Sequence, residues 1–125
     1  MMRQLRITIG RTALIVTVFD TPTGRAVSAA APFESRLTTW PGEVYFPAPV
    51  HVGREDDARD VIEAGEIAFR TEGEAIVVAY GPTPCSEDSE IRLASPSNVW
   101  GRTDSDLSRL VELEAVYMVR VEGFV

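Results

Sequence analysis

Few side chains in this sequence can do chemistry, and their types narrow it sharply. The 125 residues hold one histidine, His51, and one cysteine, Cys85. All 12 basic residues are arginine, so no lysine is present to form a Schiff base, act as an amine base or reach a phosphate from a P-loop. A Ser-His-acid triad would have to run through His51, which lies between Pro49 and Gly53 in a loop-like stretch. Serines and acids are common enough here that their company carries no weight. His51 with Asp56 and Asp57 is a poor ligand set for a metal, and the segment reads as solvated surface. Cys85 follows Pro84 with no cation next to it to favour a thiolate, so it reads as a small packed residue. Nothing selects an acid–base pair from the 19 carboxylates. Neither a cofactor nor a metal is expected.

What remains is the chemistry of recognition. Trp40, Tyr45, Phe46, Tyr80 and Trp100 are large rings close to turns. Arg36 and Arg102 are donors for an anion. Thr83, Ser86, Ser95 and Asn98 add neutral hydrogen-bonding groups beside rigid prolines. Apolar walls with a few placed polar groups make small-molecule or peptide sites. The candidate ligand-binding set is therefore Arg36, Trp40, Tyr45, Phe46, Thr83, Ser86, Ser95, Asn98, Trp100 and Arg102. Its surface would be shared by the Gly81–Ser86 turn, the Ser95–Arg102 segment and the Trp40–Phe46 strand. The competing account makes the rings core and lets the hydroxyls and amide bond their own turns.

Composition bounds the partners. A net charge of −7 with scattered arginines argues against nucleic acid and anionic membranes. No apolar run is long enough to span a bilayer. The start, Met1 to Arg6, runs straight into a strand pattern without the apolar core of a signal peptide, and one cysteine allows no internal disulfide. A single cytoplasmic domain over residues 1–125 is expected. No pattern encodes the oligomeric state.

The elements that must position these residues are mostly strands. Leu5, Ile7 and Ile9 alternate with Arg6 and Thr8; Gly10-Arg11 is hairpin-turn chemistry; Ala13 to Phe19 is a second strand. Asp20-Thr21-Pro22 starts a helix over about Thr23–Ala31, stopped by Pro32. Phe33–Thr39 and Glu43–Phe46 are extended. Glu55–Ala64 fits a short helix or an extended arm equally. Glu66–Phe69 and Ala75–Tyr80 pair around Glu72-Gly73, Ser97–Arg102 carries a short strand, and Asp104-Ser105-Asp106 caps a short helix near Leu107–Val111. Ala115–Val121 closes the chain as a strand. Seven or eight strands with two short helices suit a closed or nearly closed antiparallel barrel, because closure removes exposed edges.

Four ordered blocks carry a resemblance. Trp40-Pro41-Gly42-Glu43-Val44-Tyr45-Phe46, Gly65-Glu66-Ile67-Ala68-Phe69, Gly81-Pro82-Thr83-Pro84-Cys85-Ser86 and Ser95-Pro96-Ser97-Asn98-Val99-Trp100-Gly101 resemble the bacterial and archaeal cyclophilin-like family of small uncharacterised proteins. Pro41 departs from that family's W-G-x-E spacing, and Glu66 stands where Asp is usual. The resemblance implies a mainly all-β fold, a closed eight-stranded barrel with one or two short helices, and brings no settled reaction. It also raises prolyl cis–trans isomerisation, in which an apolar pocket for the proline ring and a donor such as arginine near the prolyl nitrogen together lower a barrier of about 18–20 kcal/mol. The segment Arg36 to Val44 has an arginine and a Pro-Gly but lacks the Phe-Met and glutamine of true cyclophilins; Gln4 is the only glutamine. The expected function is a small-molecule or peptide binding barrel without covalent catalysis. An isomerase and a structural oligomer subunit are the alternatives.

Overall fold

The computed structural model describes residues 3–113 and 117–124. Its strands are β1 (Arg3–Ile9), β2 (Thr12–Val18), β3 (Phe33–Arg36), β4 (Thr38–Trp40), β5 (Glu43–Pro47), β6 (Arg59–Ile62), β7 (Glu66–Arg70), β8 (Ala75–Ala79), β9 (Ile91–Thr103) and β10 (Met118–Gly123). Helix α1 (Pro22–Ala30) follows β2, and a 3-10 helix spans Ser108–Glu112. All strand pairings are antiparallel.

Strand order is β3-β10-β1-β2-β9-β7-β8-β5-β4, with β6 off the path against β9. The two ends of this path, β3 and β4, are halves of one chain segment separated only by Leu37. β3 pairs with β10 and β4 pairs with β5, so the bent segment joins the two edges of the sheet. Counted as one strand, it makes the eight-stranded barrel that the resemblance implies. Leu37 bonds across the seam through its N–H to Tyr117 O at 2.8 Å, and Ser35 Oγ donates to Pro47 O at 2.6 Å.

Alternation builds the interior. Leu5, Ile7 and Ile9 on β1 and Leu14, Val16 and Val18 on β2 all point inward and are buried, as the period of two requires. Gly10 takes φ +59° in the turn between them. The same core holds Phe46, Phe69, Ile76, Trp100, Val119 and Val121. β7 and β8 are buried on both faces. β6 and the first half of β9 supply the cover: Ile62, Ile91 and Leu93 pack on Ala68, Val77 and Ala79 outside the barrel, with Tyr45 and Val99 beside them. This second layer explains why Ala75-Ile76-Val77-Val78-Ala79 lacks polar alternation.

Helix α1 begins as its sequence dictates. Thr21 caps it, Oγ1 accepting from Gly24 N at 3.0 Å, and Pro22 stands in the first turn. Val27 enters the core. Gly24 allows close seating, since a Cβ there would lie 2.1 Å from Phe19 O.

Several expectations change. Glu55–Ala64 resolves as the extended arm, with β6 at its centre and an irregularity between Arg59 and Val61. The short strand at Ser97–Arg102 is the second half of a 13-residue strand, because Ile91–Leu93 have β6 and the outer cluster to pair with. The second helix is a 3-10 turn; Asp106 Oδ1 accepts from Ser108 N at 2.9 Å, while Ser105 Oγ accepts from Ile15 N at 3.0 Å. The closing strand is β10, with Val119 and Val121 inward; Ala115 and Val116 lie outside the described residues.

Candidate functional site

Registers decide which candidate residues can meet. Trp40 pairs with Glu43, Glu43 with Ala79, and Glu66, at the start of β7, with Arg102. Trp40 and Arg102 therefore lie toward the Tyr80 end of the β7–β8 hairpin. Thr83 and Ser86 are at that end too, in the loop that leaves β8. Arg36 lies at the other end, next to Ser35 and its bond to Pro47, which pairs with Ala75. Ser95 and Asn98 are there as well: Ser95 Oγ donates to Glu72 Oε2 at 3.1 Å in the hairpin turn, and Asn98 pairs with Phe69. The five residues of β8 keep these ends apart by on the order of 15 Å. The candidate set thus falls into two groups, with Tyr45 between them.

Two of the rings are interior. Phe46 and Trp100 have no exposed surface, so neither faces a ligand on the outside of the barrel. Their burial follows from position: Val44 and Phe46 share the inward face of β5, and Trp100 looks inward from β9. Tyr45 points outward, half-buried, with the Arg70 guanidinium carbon 5.0 Å from its ring centre.

The hydroxyl and amide groups are spent on structure. Thr83 Oγ1 donates to Arg92 O and accepts from Cys85 N at 3.2 Å. Ser86 Oγ accepts from Thr83 N at 2.9 Å and Arg92 N at 3.0 Å, so the G-P-T-P turn is tied to the start of β9. Asn98 is buried and fully used: Nδ2 donates to Thr23 Oγ1 at 2.9 Å and Gly53 O at 3.0 Å, and Oδ1 accepts from Glu55 N at 2.8 Å. Glu55 in turn accepts from Thr23 Oγ1 and, at 3.2 Å, from Thr23 N. This network pins the loop around Gly53–Glu55 to the first turn of α1.

Arginine and carboxylate pairs surround these groups. Arg59 grips Glu66 through both terminal guanidinium nitrogens, and Glu63 N adds a third bond to Glu66 at 2.7 Å. The Arg59 bonds, against the cost of burial, hold the Glu66 carboxyl below the usual range. Arg92 bonds Glu90 and, at 3.0 Å, Asp60. His51 pairs with Glu74, both exposed, rather than with Asp56 or Asp57. Cys85 is an exposed free thiol, not a packed residue. Among the described residues no three His, Cys, Asp or Glu side chains gather as a metal site.

A hollow lies elsewhere. A cleft of about 650 Å³ runs between α1 and the outer end of the β1–β2 hairpin. Val18, Phe19 and Ala29 give it apolar walls; Arg3, Asp20, Arg25 and Ser28 give it polar ones. Arg25 Nη1 donates to Asp20 Oδ1 at 2.6 Å on the exposed rim. Ser28 Oγ is buried and has no hydrogen-bond partner. The sequence hides this cleft, because Arg3, Asp20 and Ser28 come together only when α1 packs back beside β1 and β2.

Likeness to known proteins follows the fold. The solution structure of a hypothetical protein from Archaeoglobus fulgidus is 34% identical, with a TM-score of 0.83 over 97% of this chain and 94% of that one. McbB, solved in complex with tryptophan, is 15% identical with a TM-score of 0.68; the match takes in 95% of this chain and 44% of McbB, and it speaks to the fold alone. No curated protein matches the chain. The family model described as cyclophilin-like matches residues 3–122, nearly the whole chain. The chain belongs to the cyclophilin-like family.

Proposed function

We propose that this chain is a non-covalent binding domain for a small, carboxylate-bearing organic molecule, held in the cleft beside α1. The observation that carries the proposal is the cleft itself: its volume of about 650 Å³ falls in the range that small ligands fill, and its walls mix apolar side chains with a few polar ones. Arg3 offers a planar, permanently charged fork that suits a carboxylate. Arg25 is a second donor, because its exposed pair with Asp20 contributes little and is readily exchanged for a ligand anion. Ser28 Oγ gives a buried hydroxyl with spare capacity. Val18, Phe19 and Ala29 receive the apolar body.

Backbone amide shifts on titration with a panel of small aromatic and aliphatic carboxylates test this. Shifts should cluster on Val18–Ser28, and Arg3→Ala should weaken binding about tenfold, the loss of one charge-assisted contact. Shifts confined to Gly81–Ser86 or Ser95–Arg102 would move the site back to the turns. Acceleration of X-Pro isomerisation at substoichiometric protein would replace binding by the isomerase alternative.

A further inference from the structure

Glu43 is a buried ionisable group that neither the cleft nor any ion pair among the described residues uses. It opens β5, has no exposed surface, and neither carboxyl oxygen has a hydrogen-bond partner. Its neighbours give it nothing to bond. β4 brings Trp40 and β8 brings Ala79, and neither ionises. β7 brings Glu66, already held by Arg59, and Arg70, whose guanidinium lies over the Tyr45 ring. A bare carboxylate in such a place bears the full penalty of leaving water, whereas a bound proton removes most of it. Burial accordingly pushes the Glu43 carboxyl above its ordinary range, and the charge of Arg70 only partly opposes this.

Glu43 also adjoins a backbone seam. The carbonyl of Gly42 accepts from Tyr80 N at 2.8 Å and from Gly81 N at 3.3 Å. A Cβ on Gly42 would lie 2.2 Å from Pro82 O, so the two turns touch backbone to backbone. Gly42 has φ +85°, which favours glycine independently. We propose that Glu43 is a proton-binding site that locks this seam: the neutral acid lets the Gly42 and Gly81–Pro82 turns close, and ionisation draws water to the carboxylate and parts them. The sign follows from linkage. The closed form holds the proton more tightly than the open form, so closure is strongest below the ordinary carboxylate range and weakens as pH rises from there to the closed-state value.

The test is a carbon-detected titration of the Glu43 carboxyl in the wild-type protein. Hydrogen exchange at Tyr80 and Gly81 is measured beside it in wild type and Glu43→Gln. Rates are corrected for intrinsic exchange between about pH 5 and about pH 9. The carboxyl shift should move above the ordinary glutamate range. Wild-type protection at the two seam amides should fall by up to about tenfold per pH unit between the ordinary glutamate range and that midpoint, level off above it, and stay flat in Glu43→Gln. Amides of the β1–β2 pairing should keep their protection in both proteins. An ordinary carboxyl midpoint overturns the proton site. Identical seam profiles in the two proteins, or parallel loss in β1–β2, overturn the coupling. If the glutamine variant does not fold, the wild-type titration and the comparison of seam with β1–β2 amides still decide.

Discussion

Glu43 and Glu66 flank Ala79 on one row of the outer sheet face, and only one of them has a partner. Glu43 pairs across with Ala79; Glu66 precedes Ile67, whose partner is Val78, the neighbour of Ala79. Both carboxyls are buried. Arg59 and the Glu63 N–H satisfy Glu66, while Glu43 has nothing. Burial raises both, but the Arg59 bonds outweigh it at Glu66 and nothing outweighs it at Glu43: Glu66 is held below the usual carboxylate range and Glu43 above it.

The Glu66 direction predicts an acid-sensitive contribution. Because its carboxyl is lowered in the folded chain, the stability it adds is present above the ordinary carboxylate range and is lost as pH falls through the folded value. Arg59→Ala should cost about 1–2 kcal/mol at neutral pH, discounted because Arg59 is nearly half exposed. In urea denaturation the cost should shrink below about pH 4. An equal cost at both pH values would mean that the arginine stem, not the ion pair, is what stabilises.

Trp100→Ala should cost about 3–5 kcal/mol, as expected for emptying a buried ring site. Trp100→Phe should be far milder. Trp100 Nε1 has no hydrogen-bond partner, so phenylalanine removes volume without orphaning an acceptor. Denaturant midpoints of the two variants check this. A Trp100→Ala protein of wild-type stability would place the ring outside the core.

Gly24→Ala should lower the melting temperature and weaken binding in the cleft. The new Cβ would meet Phe19 O at 2.1 Å and Val18 Cγ1 at 3.0 Å, and a backbone carbonyl cannot swing aside as a flexible side chain can. The helix has to shift off β2, at a cost of about 1–3 kcal/mol. An unchanged melting temperature would show that α1 has slack in its seating.

The barrel was legible because its signals are local. Alternation over Leu5–Ile9 names the inward face without knowledge of any partner, and the turn around Gly73, at φ +87°, marks the β7–β8 hairpin. Which candidate residues meet was not legible, because a strand's period tells which face a residue is on but not which end of a neighbouring strand it will reach. Thr83 and Ser95 both sit beside prolines, and only the register separates them. The β9 strand, read as one short piece, is long enough to serve two layers, and its first half covers the outward Ala68, Val77 and Ala79. Asn98 illustrates the same limit. Its partners, Thr23 and Gly53, are 75 and 45 residues away in sequence, and its turn-like setting gave no hint of them.

Asn98 therefore gives the sharpest test of what the S-P-S-N turn does. Replacing it by alanine leaves Thr23 Oγ1 without a donor, Gly53 O without its bond and Glu55 N without an acceptor, all in or near the interior. The expected cost is about 2–3 kcal/mol, with faster hydrogen exchange at Glu55. Asn98→Asp keeps the shape and still accepts from Glu55 N. It loses both donated bonds and sets a second carboxylate close to that of Glu55, which already binds Thr23. At neutral pH it should be at least as damaging as alanine, and it should recover in part as acid neutralises the added charge. Thermal melts of the three proteins across pH measure this. If Asn98→Ala is within about 0.5 kcal/mol of wild type and Glu55 exchange is unchanged, the amide does not clamp the loop and is free for a ligand.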